Sequence, residues 1–329
     1  MMDYAKNKKV LFITTKNLDY IRNSQEIKEL KLRSDRLDII GSKDKSYIKR
    51  LLHVYGRILR NSFKQYDVVF VGFAPQLVIP LFSWKMKRNY VVIDFFISIY
   101  DTMICDRKKF KDGGIISKIM RHIDELTLRK ADKIISDTKV HADYFISDLK
   151  ADKDKLEVIY LEADTKIYFP KDVKRPESIK DKFVVLYFGS IIPLQGVPVI
   201  FEALRELKDD KDFYFYMIGP VGKEYEKPEA DNIEYISWLT QEKLAEKIAE
   251  ADLCLAGHFN GEIMKAKRTI PGKAYIYEAM GKPMILGDNS ATRELYSETD
   301  GHYFVEMSNP HALAEKIKMI KDNKQTSRR

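Results

Sequence analysis

Short runs of β-branched and aromatic residues punctuate the chain, each followed by a stretch whose apolar positions recur three and four residues apart. In the first half these runs fall at residues 10–15, 68–73, 90–93, 133–136 and 156–160. Runs that are apolar on both faces and separated by helices predict a parallel sheet covered on both sides. Between residues 162 and 182 the pattern lapses into a polar stretch carrying Pro170 and Pro176. The rhythm then restarts at 183–188, 213–218, 253–256 and 284–286, with helices near 197–208 and 240–249. The expectation is α/β: two Rossmann-like, doubly wound parallel-sheet domains, residues 1–170 and 171–329, meeting within the polar lapse. Because such sheets bind ligands at the carboxyl ends of their strands, a cleft between two facing domains is the expected active site.

A length of 329 residues suits two domains of ~150 residues each. Hydrophobic residues at 45% and charged residues at 32% exclude a disordered or fibrous chain. The uncharged segment 68–84 approaches the ~20 residues of a membrane span. Pro75, Gln76 and Pro80 interrupt it, which predicts a buried strand, a loop and a helix start instead. Cys105 and Cys254 lie far apart with no Cys/His cluster around them, which points to a reducing compartment, no structural zinc and no metal site. The first ten residues are charged rather than apolar, so a cytoplasmic location is expected. The net charge of +8 admits a polyanionic partner. No helix-turn-helix, RRM or zinc-finger pattern appears, so nucleic acid is not the expected one.

The densest candidate chemistry is the stretch Arg268-Thr-Ile-Pro271-Gly-Lys273-Ala-Tyr-Ile-Tyr-Glu278-Ala-Met-Gly281-Lys-Pro283. Pro271 suits a helix start, Gly281 its end, and Pro283 forbids continuation. A helix of about two turns therefore begins beside Arg268 and Lys273, where unpaired N–H groups, the dipole and two cations would attract a diphosphate. Glu278 on the same helix is a candidate for ribose hydroxyls, as in dinucleotide sites.

This stretch resembles the signature of the retaining family-four (group 1) GT-B glycosyltransferases, and further motifs follow in the same order. Ala291-Thr-Arg293-Glu294-Leu295 is similar to the family's Ala-x-Arg-Glu-Leu. The loop Gly189-Ser190-Ile-Ile-Pro193-Leu-Gln195-Gly196 resembles its first C-terminal-domain loop, and Ala251-Asp252-Leu253 a strand entry. The likeness spans residues 156–311 and is weaker in the N-terminal half. There Asp94, Asp101 and the residues between them look like a divergent subgroup pattern in a cleft-facing loop.

Two departures stand out. Most relatives carry Arg and Lys where Ser190 and Gln195 stand, and Ile270 occupies the place of the first of two family glutamates eight positions apart. Lys265, Lys267, Arg268 and Lys273 are the cations available to rebuild the site, with backbone N–H groups of the 189–196 loop.

One more signal is a segment without acid, residues 45–66. Ile48, Leu51, Leu52, Tyr55, Ile58 and Leu59 recur at helical spacing, and Lys49, His53, Arg57, Arg60 and Lys64 form a stripe on another face. The apolar side is expected to pack on the sheet. The basic stripe, with Lys49, Arg57, Arg60 and Lys64 at its centre, is either solvated or docked on an anionic membrane surface on the acceptor side.

The resemblance implies a retaining transferase for hexosyl or related transfer; the charged N-terminus and the basic stripe add the expectation that it is cytoplasmic and peripheral at the inner membrane face. Domain 1–170 would take a lipid-linked or glycan acceptor in bacterial surface polysaccharide synthesis, and domain 171–329 a nucleotide diphosphate sugar. Gly189, Ser190, Gln195, Gly196, Arg268, Lys273 and Glu278 would bind the donor. Asp94 or Asp101 would face the sugar or acceptor hydroxyl, and Arg268 and Lys273 would stabilise the leaving diphosphate. No cofactor and no obligatory divalent cation are expected. The departures leave a second reading open, a catalytically silent GT-B subunit that positions a partner transferase.

Overall fold

The computed structural model describes residues 2–299 and 301–327. The chain divides into two compact units, Met1–Glu162 and Ala163–Arg329. The first contains β1 (Lys9–Ile13), α1 (Ile21–Arg33), β2 (Arg36–Ile40), α2 (Tyr47–Arg60), β3 (Val68–Val71), α3 (Ile79–Phe82), β4 (Tyr90–Asp94), α4 (Ile115–Lys130), β5 (Lys133–Ser136), α5 (Lys139–Ser147) and β6 (Leu156–Val158). Its strands are parallel in the order β2-β1-β3-β4-β5-β6. Alternation along each strand supplies both faces. Leu11, Ile13, Val69, Val71 and Ile93 point to one layer, where Val54 and Ile58 of α2, Phe82 of α3, Leu128 of α4 and Phe145 of α5 cover them. Val10, Phe12, Phe70 and Val92 point to the other, against Leu30 of α1.

Segment 68–84 becomes β3, a 3₁₀ turn at Pro75–Leu77 and α3, as its breakers predict. Among the described residues no helix is long and apolar enough to cross a membrane.

The second unit contains β7 (Phe183–Phe188), α6 (Val197–Leu207), β8 (Phe213–Ile218), β9 (Ile233–Ile236), α7 (Gln241–Glu250), β10 (Leu253–Gly257), α8 (Met264–Arg268), α9 (Gly272–Ala279), β11 (Met284–Gly287), β12 (His302–Val305) and α10 (Pro310–Ser327). The sheet order is β12-β11-β10-β7-β8-β9, all parallel. The polar lapse packs on this unit: Tyr168 and Ile179 are buried, and Arg175 pairs with buried Asp252 at 2.8 Å. Local sequence explains the helix starts as well. Thr240, expected to open a helix, caps α7 by accepting from the Lys243 N–H, satisfying one of the orphan donors of the first turn.

Candidate functional site

The second sheet grows outward from β7 to β9, then crosses back and grows the other way from β10 to β12. The loops leaving the carboxyl ends of β7 and β10 therefore diverge at a topological switch point, where open α/β sheets bind ligands. The loop after β7 is fixed by two glycines with φ of 142° (Gly189) and 69° (Gly196), conformations that side chains resist. A Cβ on Gly196 would stand 2.6 Å from the backbone of Phe259 and Asn260, the residues just past β10. The two loops are bonded together there. The Phe259 N–H donates to the Gln195 carbonyl at 3.2 Å, and the Asn260 side-chain amide donates to the Pro193 carbonyl at 3.1 Å. The helix α8, which ends at Arg268, packs through Ala266 on Leu194 of the same loop.

The helix expected after Pro271 is α9. Pro271 is its N-cap, and Gly281, at φ 62°, closes it with an N–H donated to the Glu278 carbonyl. Its first turn delivers Lys273 to the loop. Lys273 is only 6% exposed; its amine donates to Gln195 Oε1 and lies 4.8 Å from the centre of the Tyr187 ring. Among the described residues no carboxylate pairs with it, and burial pushes the amine down to about 7. His258, directly after β10 and 3% exposed, is held well below the usual imidazole range by burial, then by Lys273 and Lys265. Three basic groups thus converge where two strands end, two of them desolvated. A buried cation without a counter-charge is unfavourable, so the site is poised for an anion. Sequence reading named Lys273 and overlooked His258, whose place one residue past the apolar run 253–256, after Gly257, was the available signal.

The other donor candidates are placed less uniformly. Arg268 is half-buried at the end of α8, Ser190 is exposed, and Ile270 is buried. Gln195, standing where relatives carry a cation, accepts from Lys273. Glu278 is not brought to this site. Its Oε2 meets His302 Nε2 at 2.6 Å, and His302 is the first residue of β12, in register with Met284 at the start of β11. Glu278 therefore lies at the amino end of the sheet and Lys273 at the carboxyl end, because a crossover helix runs antiparallel to its strands. Glu278→Gln is accordingly expected to leave uridine and UDP affinity unchanged in calorimetric titrations. A parallel loss of both ligands would return the ribose role to it.

In the first unit the expected acceptor-side carboxylates are enclosed. Asp94, at the end of β4, is fully buried and takes Nε and Nη2 of Arg22 on its two oxygens at 3.0 and 2.8 Å. Nη1 of Arg22 donates to the Ile159 carbonyl at 2.6 Å. Burial disfavours the Arg22 charge, but Asp94 more than offsets that and holds the guanidinium firmly protonated. Beside them burial, and then the Asp94 charge, raises the Glu26 carboxyl well above its ordinary range. Asp101 is also buried, opening a π-helical turn, Asp101–Asp106. Its N–H donates to Ser98 Oγ at 2.9 Å, and Ser98 donates to buried Asp124 at 2.7 Å. Asp124 also accepts the N–H groups of Ile99 and Tyr100, so it shapes this loop from beneath. The geometry gives Asp94 a supporting place in the core rather than an open one. Lys49, Arg57, Arg60 and Lys64 are all exposed. Among the described residues no group of His, Cys, Asp or Glu could hold a metal ion.

Comparison with known proteins agrees with this architecture. Sucrose-phosphate synthase from Thermosynechococcus elongatus superposes with a TM-score of 0.70 at 11% identity, covering 95% of this chain and 90% of that one. Anabaena HepE in complex with UDP superposes with a TM-score of 0.60 at 13% identity, covering 96% and 91%. The chain has the GT-B fold, two Rossmann-like units in tandem. Residues 182–323, within the second unit, match the family model "Glycosyl transferases group 1". An uncharacterized 41.2 kDa protein in the cps region of Klebsiella pneumoniae is 25% identical over 202 residues, 59% of this chain and 54% of that protein. The chain thus spans about half the length of this curated relative.

Proposed function

We propose that the chain is a glycosyltransferase that moves a sugar from a nucleoside diphosphate sugar to a lipid-linked saccharide in bacterial surface polysaccharide synthesis. The observation that carries this reading is the buried, anion-seeking Lys273 at the β7/β10 switch point. The group 1 domain match, the cps-region relative and the UDP bound in HepE support it. The diphosphate lies along the 189–196 loop with the Lys273 and Arg268 cations around it and His258, held uncharged by burial, beside them. As the bond from the anomeric carbon to the diphosphate breaks, charge develops on the phosphate oxygens, and the cations stabilise it more in the transition state than in the ground state. The transfer retains anomeric configuration, the first unit receives the acceptor, and the protein works in the cytoplasm against the anionic inner membrane surface. No cofactor or divalent cation takes part.

A silent positioning subunit is the second reading, favoured by Gln195 holding the Lys273 amine and by the apolar Ile270. Thermal-shift titration with UDP-, GDP- and dTDP-sugars, followed by donor hydrolysis, tests both. One base family should raise the melting temperature and be hydrolysed. Binding without hydrolysis or transfer to any acceptor favours the silent subunit, and no binding at all removes the donor site.

A further inference from the structure

The core residues of α2 are Arg50, Val54 and Ile58, not the broad apolar face expected from its sequence. Arg50 is buried because its guanidinium donates to the Thr15 and Asp44 carbonyls and to Asn17. That rotation turns Ile48, Leu52 and Leu59 outward, at 70%, 65% and 58% exposure. At about 100° per residue these three form one narrow ridge on the side away from the sheet. Lys49, His53, Arg57 and Arg60 run beside it. The neighbouring elements carry further exposed apolar residues. Lys85 caps the end of α2 by donating to the Ile58, Leu59 and Asn61 carbonyls at 2.8, 2.8 and 2.9 Å. Trp84, next to it, and Leu81 of α3 are both exposed. On α4, which shares the same helical layer, Ile115, Ile116 and Ile119 are exposed too, following the exposed basic run of residues 107–111.

Soluble proteins seldom leave so many large apolar side chains exposed on one layer unless something covers them. Residues 45–66 contain no acid at all, and that charge pattern selects the cover: an apolar ridge beside a cationic stripe fits the interface of an anionic bilayer. We propose that Ile48, Leu52, Leu59, Leu81 and Trp84 insert into the acyl boundary of an anionic phospholipid membrane while the basic stripe pairs with headgroup phosphates. This rests on the membrane reading above and deepens it, since that reading needs only electrostatic adsorption.

The test uses the full chain with Trp238→Phe, so that Trp84 is the single reporter, and vesicles of phosphatidylglycerol with phosphatidylcholine or of phosphatidylcholine alone. Co-sedimentation with the anionic vesicles, a blue shift of Trp84 emission and binding that partly survives high salt are expected. The exposed-site triple variant Ile48→Ser, Leu52→Ser, Leu59→Ser should weaken partitioning roughly tenfold or more while keeping the wild-type melting temperature. Lys49→Gln, Arg57→Gln, Arg60→Gln, Lys64→Gln should weaken it chiefly at low salt. Binding that salt releases fully, with Trp84 unshifted, overturns insertion and leaves adsorption standing. No binding to either vesicle removes both. A dimer in solution that the serine variant dissolves overturns the lipid assignment and makes the ridge a contact between copies.

Discussion

Lys273→Met is expected to lower nucleotide affinity and to stabilise the ligand-free protein at the same time. The lost charge-assisted contact should cost ~1.5 to 3 kcal/mol of UDP binding, roughly tenfold to a hundredfold or more. Arg268→Ala should cost a similar amount through the same phosphate oxygens. Stability moves the other way for an electrostatic reason. The amine titrates near 7 in the folded chain against about 10.4 when exposed. The unfolded chain therefore holds that proton more tightly, and the penalty on folding grows as pH falls from about 10 and is complete below about 7. Methionine removes it, so the melting temperature at neutral pH should rise. The same shift gives binding a signed pH dependence. Below about 7 the amine is already an ammonium; above it, binding a diphosphate has to draw a proton in. UDP affinity should fall between about pH 7 and pH 9 with proton uptake, and the slope should vanish in Lys273→Met. Calorimetry in two buffers of different ionisation enthalpy reads both quantities. Equal affinity in variant and wild type would sink the site.

Asp94→Ala should destabilise the first unit by ~3 to 5 kcal/mol, because it strands the buried Arg22 guanidinium without its carboxylate. Asp94→Leu combined with Arg22→Met should recover most of that loss, since apolar residues of similar volume replace a buried pair at little cost. Hydrogen exchange of the β1, β3 and β4 amides follows this unit separately from the second. The competing outcome is clear-cut: if Asp94→Asn keeps wild-type exchange but abolishes transfer, Asp94 touches substrate and its place in the core is secondary.

Much of the architecture was legible in the pattern of the chain. Every strand flanked on both sides, such as β1, β3, β4, β7, β8, β10 and β11, announced itself as an apolar run. The strands that escaped were β2, β9 and β12, all at sheet edges. With one neighbour and a partly solvated face, they tolerate Arg36 and Asp38, Glu234 and His302, which break the apolar run. The 189–196 loop and the place of Lys273 beside it could be read because backbone demands at Gly189, Pro271 and Gly281 leave a trace in sequence. Glu278 could not: helical spacing alone does not say which end of a sheet a residue reaches. Asp94 and Arg22 are 72 residues apart, and nothing local in either segment signals that they pair. On α2 the sequence suggested a broad apolar core face, and three hydrogen bonds made by one buried arginine turned it outward.

Those same edge strands bear on how the protein keeps its own company at high concentration. An unpaired strand offers a row of N–H and C=O groups to any other chain, and proteins that leave it bare tend to stack into fibres. Here each border strand holds a polar or charged residue tethered back to its own domain. Asp38 on β2 accepts from Arg36 and Tyr66, both at 2.6 Å, and Glu157 on β6 meets Lys133 at 3.4 Å. Glu234 on β9 accepts from Tyr214 at 2.7 Å, and His302 on β12 is held by Glu278. A strand arriving at any of these borders would have to bury a polar or charged group or break its tether. Glu278, at the amino end of the sheet, is the partner that ties down the first residue of this border strand.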